Sequence, residues 1–285
     1  MNHIHIITDT DSSLPAEVAA RYNIEQVPIT IQFGEQSFHS GVDIDDKLLF
    51  EKIDAIGSLP TTAAPSAGAF GAAYGRAFEA GADSIICITV GSRISRTYDS
   101  AFTAASEDFP GRLITVIDSE YLSLGQGFMV IAAAEAVAAG ASHEEAVAAA
   151  RSISPRLHLY GSLTTLKYLA MGGRIGQFPA KMANLFDIRP VMTMIDGKLG
   201  LLEKVRTHRA AMNRLVQLLE TSVEGKTIEK AGIVHVNNLE DAATLEARLR
   251  ADLSLPREIL VADFTPGLSV HGGTGLIAAV FVTKE

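Results

Sequence analysis

Two segments in the first third of the chain hold the residue types best suited to gripping a small anion. One reads Pro60-Thr61-Thr62-Ala63-Ala64-Pro65-Ser66, the other Thr89-Val90-Gly91-Ser92-Arg93-Ile94-Ser95-Arg96-Thr97-Tyr98. Each places small hydroxyls at the start of an expected helix, where backbone N–H groups lack partners, and neither contains a carboxylate. A helix start offers donors and a partial positive charge, so a carboxylate or phosphate can rest there without a metal. Every one of these hydroxyls also reads as an ordinary helix cap. Two such segments on one sheet edge, with no general base in either, favour hydroxyls that bind over hydroxyls that attack.

Other groups invite sharper chemistry. Asp9-Thr10-Asp11-Ser12-Ser13 follows an apolar strand, as do the paired carboxylates of Mg²⁺-dependent phosphoryl and dehalogenase sites. That mechanism needs a second acidic pair after a later strand. Asp45-Asp46 comes too early for it, and the plainer reading has Asp11 or Ser12 capping a helix near Pro15. Ser92 with His271 could form a nucleophile and base, but no Gly-x-Ser-x-Gly elbow is present. His271 precedes Gly272-Gly273-Thr274-Gly275, a run that lets backbone approach a ligand. It is too short for a phosphate loop and lacks its lysine. Only His3 and His5 lie close together, with no third ligand evident, so no metal site is expected. A stand-alone hydrolase or phosphatase using Asp9/Asp11, or Ser92 with His271, remains the alternative reading.

These residues must be positioned by regular elements. Short apolar strands at 3–7, 27–33, 84–90 and 113–117 alternate with helices at 15–22, 45–56, 66–80, 93–106 and 125–139. That alternation predicts a largely parallel sheet, with ligands beyond the carboxyl ends of its strands. Both hydroxyl segments and the Asp118-Ser119 turn fall at that edge. Ser142 with Glu145 predicts a capping box, and Asp196-Gly197 a tight hairpin. A helix over 162–171 is expected to end in Met171-Gly172-Gly173-Arg174, where Gly supplies a left-handed cap. The character changes near Pro155, so residues 1–156 and 157–285 are read as two α/β domains.

Bulk properties narrow the function. The 285 residues carry a net charge of −9, from 24 basic and 33 acidic residues, with no Trp. An acidic surface without a basic stripe argues against nucleic acid. Hydrophobic residues make up 47% and charged ones 20%, and the mean hydropathy is +0.21. No apolar run approaches the ~18 residues of a membrane span, and the N-terminus lacks a signal-peptide pattern. The single Cys87 excludes a disulfide framework and fits a reducing compartment, so a cytoplasmic protein is expected.

Several stretches together resemble one family. They are Ile7-Thr8-Asp9 with Ser12, Thr62-Ala63-Ala64-Pro65-Ser66, and Ile88 through Ala101. Further on come Asp118-Ser119, Leu166-Lys167-Tyr168-Leu169 with Gly172-Gly173-Arg174-Ile175, Arg189-Pro190-Val191, Asp196-Gly197 and His271-Gly272-Gly273-Thr274-Gly275. In order and spacing the chain resembles the DegV family, whose members include fatty-acid-binding subunits of bacterial fatty acid kinase. The resemblance implies two α/β domains with a tunnel at and below their crevice, holding one long-chain fatty acid. It implies carboxylate contacts from Thr62, from Ser92 or Ser95, and from His271 and Gly272, with Thr61, Arg93, Arg96 and Ser119 in the vicinity. It further implies a carrier without turnover or cofactor of its own. A separate kinase subunit (FakA-like) would hold ATP and Mg²⁺ and dock near Arg174, and transient contact with a membrane surface would be allowed. Arg96, Gly91, Ala63-Ala64 and Thr274 depart from the family's usual Gly, Ser, Ser-Gln and Pro. By composition, Phe128, Leu185, Phe186, Ile188, Met192 and Met194 are candidates to line the tunnel.

Overall fold

The computed structural model describes residues 3–173 and 188–284; Arg174, Leu185 and Phe186 lie outside them. Strands β1 (Ile4–Asp9), β2 (Ile24–Val27), β6 (Ser84–Thr89) and β7 (Leu113–Asp118) form a four-stranded sheet in the order β2-β1-β6-β7. All its pairings are parallel. Its central strand is apolar and fully buried, Ser84-Ile-Ile-Cys-Ile-Thr89, as expected where helices cover both faces.

The strand expected over 27–33 is divided: Val27 ends β2 in the parallel sheet, and residues 30–33 belong to a second sheet. β3 (Thr30–Phe33), β4 (Gln36–His39) and β5 (Thr61–Ala63) make a small antiparallel sheet, β4-β3-β5. The first hydroxyl segment therefore lies on this sheet and not on the edge of the parallel one. Prolines at 60 and 65 flank β5, and proline cannot donate to a ladder, which keeps the strand short.

The remaining strands, β8 (Leu157–Ser162), β9 (Arg189–Ile195), β10 (Lys198–Val205), β11 (Ile228–His235), β12 (Leu260–Asp263) and β13 (Ile277–Thr283), form one sheet. Its order is β10-β9-β8-β13-β11-β12, antiparallel except for β11 with β12. The β9–β10 turn is Asp196-Gly197 as expected, with φ of 50° and 71°, values that suit a primed hairpin turn.

Helices cover these sheets. They are α1 (Ala16–Arg21), α2 (Asp46–Ile56), α3 (Ala67–Glu79), α4 (Thr97–Asp108), α5 (Leu124–Ala138), α6 (His143–Ile153), α7 (Lys167–Met171), α8 (His208–Ser222), α9 (Leu239–Asp252) and α10 (Pro266–Gly272). The Ser142–Glu145 capping box is present at the start of α6. Three expectations are corrected. α4 begins at Thr97 and not Arg93, because residues 91–96 close a hydrogen-bonded turn. The helix expected over 162–171 is only α7, since Leu157–Ser162 is committed to the sheet. The left-handed glycine expected after it is Gly173, φ 73°. Neither Asp11 nor Ser12 caps α1; they belong to a 3-10 turn, Thr10–Ser12, whose N-cap is Asp9.

The core is continuous through α5. Residues 124–134 of this helix are all buried, as befits a helix that is apolar all round. It packs on β1 and β6 of the parallel sheet and on β11 and β13 of the mixed sheet. One apolar cluster accordingly runs from Ile4 and Ile86 through Met129 to Val234 and Val280. Gly232 on β11 allows the close approach, since a Cβ there would meet Leu124 Cδ1 at 2.5 Å and Phe128 Cζ at 3.0 Å. Gly232→Val is expected to overpack this seam and cost about 1–3 kcal/mol, read as a lowered urea midpoint with little change in slope. An unchanged midpoint would mean that the seam yields.

Candidate functional site

A cavity of about 820 Å³, its mouth included, lies where the sheets and helices meet. Residues before 157 supply Asp11, Ile29, Thr62, Ile94, Ser95 and Leu122. Residues after it supply Leu163, Leu169, Leu199, Phe264, Leu268, His271, Gly272 and Leu276. The wall is mostly aliphatic, with polar groups at few points.

Thr62 and His271, 209 residues apart, meet here: Thr62 Oγ1 and His271 Nε2 are 3.0 Å apart. The alternation of β5 turns the half-buried Thr62 away from the exposed Thr61 and Ala63. His271 sits one turn beyond Gly267 on α10, so both share the cavity face. α10 is held tightly. The Gly267 N–H donates to Ser40 Oγ at 3.0 Å. A Cβ at Gly172 would collide with the His271 ring, and one at Gly273 (φ 76°) with the Tyr168 ring.

The second hydroxyl segment divides. Ser95 lines the cavity, and its Oγ lies 2.8 Å from Thr97 Oγ1. Ser92 is not among the lining residues. Its N–H donates to Asp118 Oδ1 at 3.0 Å, while Gly91 N–H donates to Tyr121 O and those of Ile94 and Ser95 to Gly91 O. The amides expected to meet an anion are thus spent on folding the turn. Ser66 is a cap, accepting from Ala69 N–H.

Of the other expected residues, Gly272 is on the cavity wall. Thr61 is exposed and paired with Gln32. Arg93 is exposed, its Cδ 3.5 Å from where a Cβ at Gly197 would stand. Arg96 points to solvent and pairs with Asp99. Ser119 is buried in its own turn, donating to Tyr121 O. Phe128, Met192, Met194 and Ile188 belong to or pack on the apolar core and are not among the cavity's lining residues. The aliphatic residues that do line it are scattered from Ile29 to Leu276, so no local pattern could have singled them out.

The acidic turn serves the fold. Asp9 is completely buried, accepting from Val90 N–H at 2.8 Å, Asp11 N–H at 3.0 Å and Gln126 Nε2 at 3.1 Å. It thereby ties the 90–96 turn to β1 and α5. Asp11 lines the cavity, with Oδ1 near Gly267. Among the described residues no three of His, Cys, Asp and Glu converge on a metal position.

Burial pushes the Asp9 carboxyl up from 3.8 to about 6, against its N–H donors. A folded-state value above the unfolded one means stabilisation present below about pH 4 and lost as pH rises through 6. Asp9→Asn removes that titration and leaves N–H donors facing an amide, which costs about 1–3 kcal/mol. Urea denaturation between pH 4.5 and 6.5 should show the gap between the native chain and this variant narrowing as pH rises. A constant gap would contradict the perturbed carboxyl.

The DegV family model matches residues 3–284. A DegV domain-containing protein of Streptomyces coelicolor is 31% identical over 283 residues, covering 99% of both chains. One from Listeria innocua is 32% identical over 284 residues, covering 99% of this chain and 100% of its own. Among solved structures, a DegV family protein of Thermus thermophilus, described for its fatty acid binding, has a TM-score of 0.90 at 27% identity, covering 99% of this chain and 100% of that one. DegV of Bacillus subtilis, described as a fatty acid binding protein, has a TM-score of 0.88 at 27% identity over 100% of both. Matched from end to end in sequence and in fold, the chain belongs to the DegV family.

Proposed function

We propose that this protein binds one long-chain fatty acid in the cavity, its carboxylate beside Thr62, Ser95 and His271. The observation that carries this reading is the Thr62–His271 contact in the wall of a mostly apolar cavity. Burying a chain of about 16 carbons contributes about 12 kcal/mol at ~0.8 kcal/mol per CH₂, before ordering costs. A few charge-assisted hydrogen bonds then suffice to orient the head group. The fatty-acid binding described for the Thermus and Bacillus relatives supports the same cargo.

In this reading, residues 1–156 and 157–285 act as two domains that close on the lipid. The carboxylate is presented to a kinase subunit holding ATP and Mg²⁺, and leaves as an acyl phosphate. Support for that step is the resemblance of the motifs and the place of His271 beside the head-group position. The competing hydrolase reading is weakened because His271 Nε2 meets Thr62 and not Ser92, and because Asp9 is enclosed by N–H donors.

Extraction of the purified, denatured protein is expected to yield a long-chain fatty acid by mass spectrometry, near one per chain. Palmitate or oleate should raise the melting temperature of delipidated protein. Thr62→Val and His271→Ala should each weaken binding about tenfold, as loss of one hydrogen bond to a charged group does. Protein that carries no lipid and is not stabilised by either acid would defeat the cargo assignment. Turnover of nitrophenyl esters or phosphates that is abolished by Thr62→Val would instead make the protein an enzyme.

A further inference from the structure

The His271 imidazole carries nitrogens at two positions of its ring, and it is Nε2 that meets Thr62. Rotation about the bond to a flat ring is soft, with broad and roughly two-fold minima. Intrinsic preference therefore does not keep Nε2 turned to Thr62; the walls around the ring must. Its Nδ1–Cε1 edge lies against the backbone of Gly172, the residue that ends α7. A Cβ at Gly172 would run into Nδ1 and stand 2.8 Å from Cε1.

The backbone does not demand glycine at this position. Gly172 has φ −77° and ψ 0°, a turn conformation that residues with side chains adopt. Its neighbour Gly173, at φ 73°, is the one in the left-handed region. Alanine at a compatible glycine position reduces the freedom of the unfolded chain and stabilises wherever space allows. At 172 the space is taken by the His271 ring.

Neither side of this contact has room to retreat. Leu166, just before α7, and Leu169 within it are buried in the core. The Tyr168 ring lies against Gly273 and meets Phe50 edge-on, with centroids 6.2 Å apart. On α10, a Cβ at Gly272 would meet Leu276 Cδ1 at 2.6 Å and Phe264 Cε1 at 3.2 Å. With both backbones held, a side chain at 172 must displace the imidazole.

We propose that Gly172 is a positioning residue for the head-group site, its missing side chain forming the slot that holds the His271 ring with Nε2 towards Thr62 and the ligand carboxylate. The ligand in this statement rests on the fatty-acid reading; the hold on the ring does not. A methyl group at 172 turns Nε2 away from the head group and leaves the apolar wall in place. The loss is then confined to ligands with an acidic end.

Affinities of the delipidated chain for palmitate and hexadecanol, which share a tail and differ in head group, test this. Gly172→Ala should bind palmitate about tenfold more weakly, as loss of one hydrogen bond to a charged group does, and hexadecanol as the native chain does. In a His271→Ala background the same substitution should change neither affinity, because the ring it displaces is gone. Nitrogen NMR of the lipid-free protein needs no ligand: the His271 ring resonances and their titration midpoint should move in Gly172→Ala. If that variant folds poorly, the double variant should recover the urea midpoint of His271→Ala. Unmoved ring resonances, unchanged palmitate affinity, an equal loss for hexadecanol, or the same loss without the His271 ring would each overturn the proposal. A native chain that binds neither compound defeats the fatty-acid reading instead, and the ring resonances then decide the role of Gly172 by themselves.

Discussion

The architecture depends on α5 being enclosed on every side. A helix between two sheets must be apolar around its whole circumference and small enough to let both approach. The run from Leu124 to Ala134 meets both demands. Gly127 sits where a Cβ would press within 2.8 Å of Ser12 O, and Gly232 gives the room on the opposite sheet. One polar residue is admitted, Gln126, which donates to Thr8 Oγ1, Asp9 Oδ2 and Ile88 O. These bonds fix the rotation of α5, and Asp9 in turn fixes Val90 and the turn behind it. The cavity wall at Ile94 and Ser95 is placed by that chain of contacts.

The site shows a division of labour between backbone and side chain. The turn at 91–96 is rigid because its amides are consumed by Asp118, Tyr121 and Gly91. The hydroxyl of Ser95 is left to line the cavity, together with Thr62 and His271 from other elements. The polar groups that line the cavity there are thus side chains, not the amide nest that a strand-to-helix junction suggests.

Much of this was legible beforehand, for definable reasons. The parallel strands, α5, the Ser142 capping box and the Asp196-Gly197 turn are local patterns with strong physical signatures. Thr62, Ser95, His271 and Gly272 were marked by residue type and by the family resemblance. The start of α4 was misplaced because Ser92 has the chemistry of a cap while Asp118, 26 residues away, claims its amide. α10 went unseen because seven residues, two of them glycine, carry too little periodicity. The cavity wall was illegible, since Ile29, Leu163, Leu199 and Leu276 become neighbours only when both halves of the chain have folded.

That shared wall bears on how such a protein can diversify. Its pocket is owned jointly by the two sequence halves, so a recombinant that inherits one half from a cousin receives mismatched sides of the same container. Change in the shape of the pocket then calls for compensating steps on both halves, which ties their histories together more firmly than the separate sheets alone would.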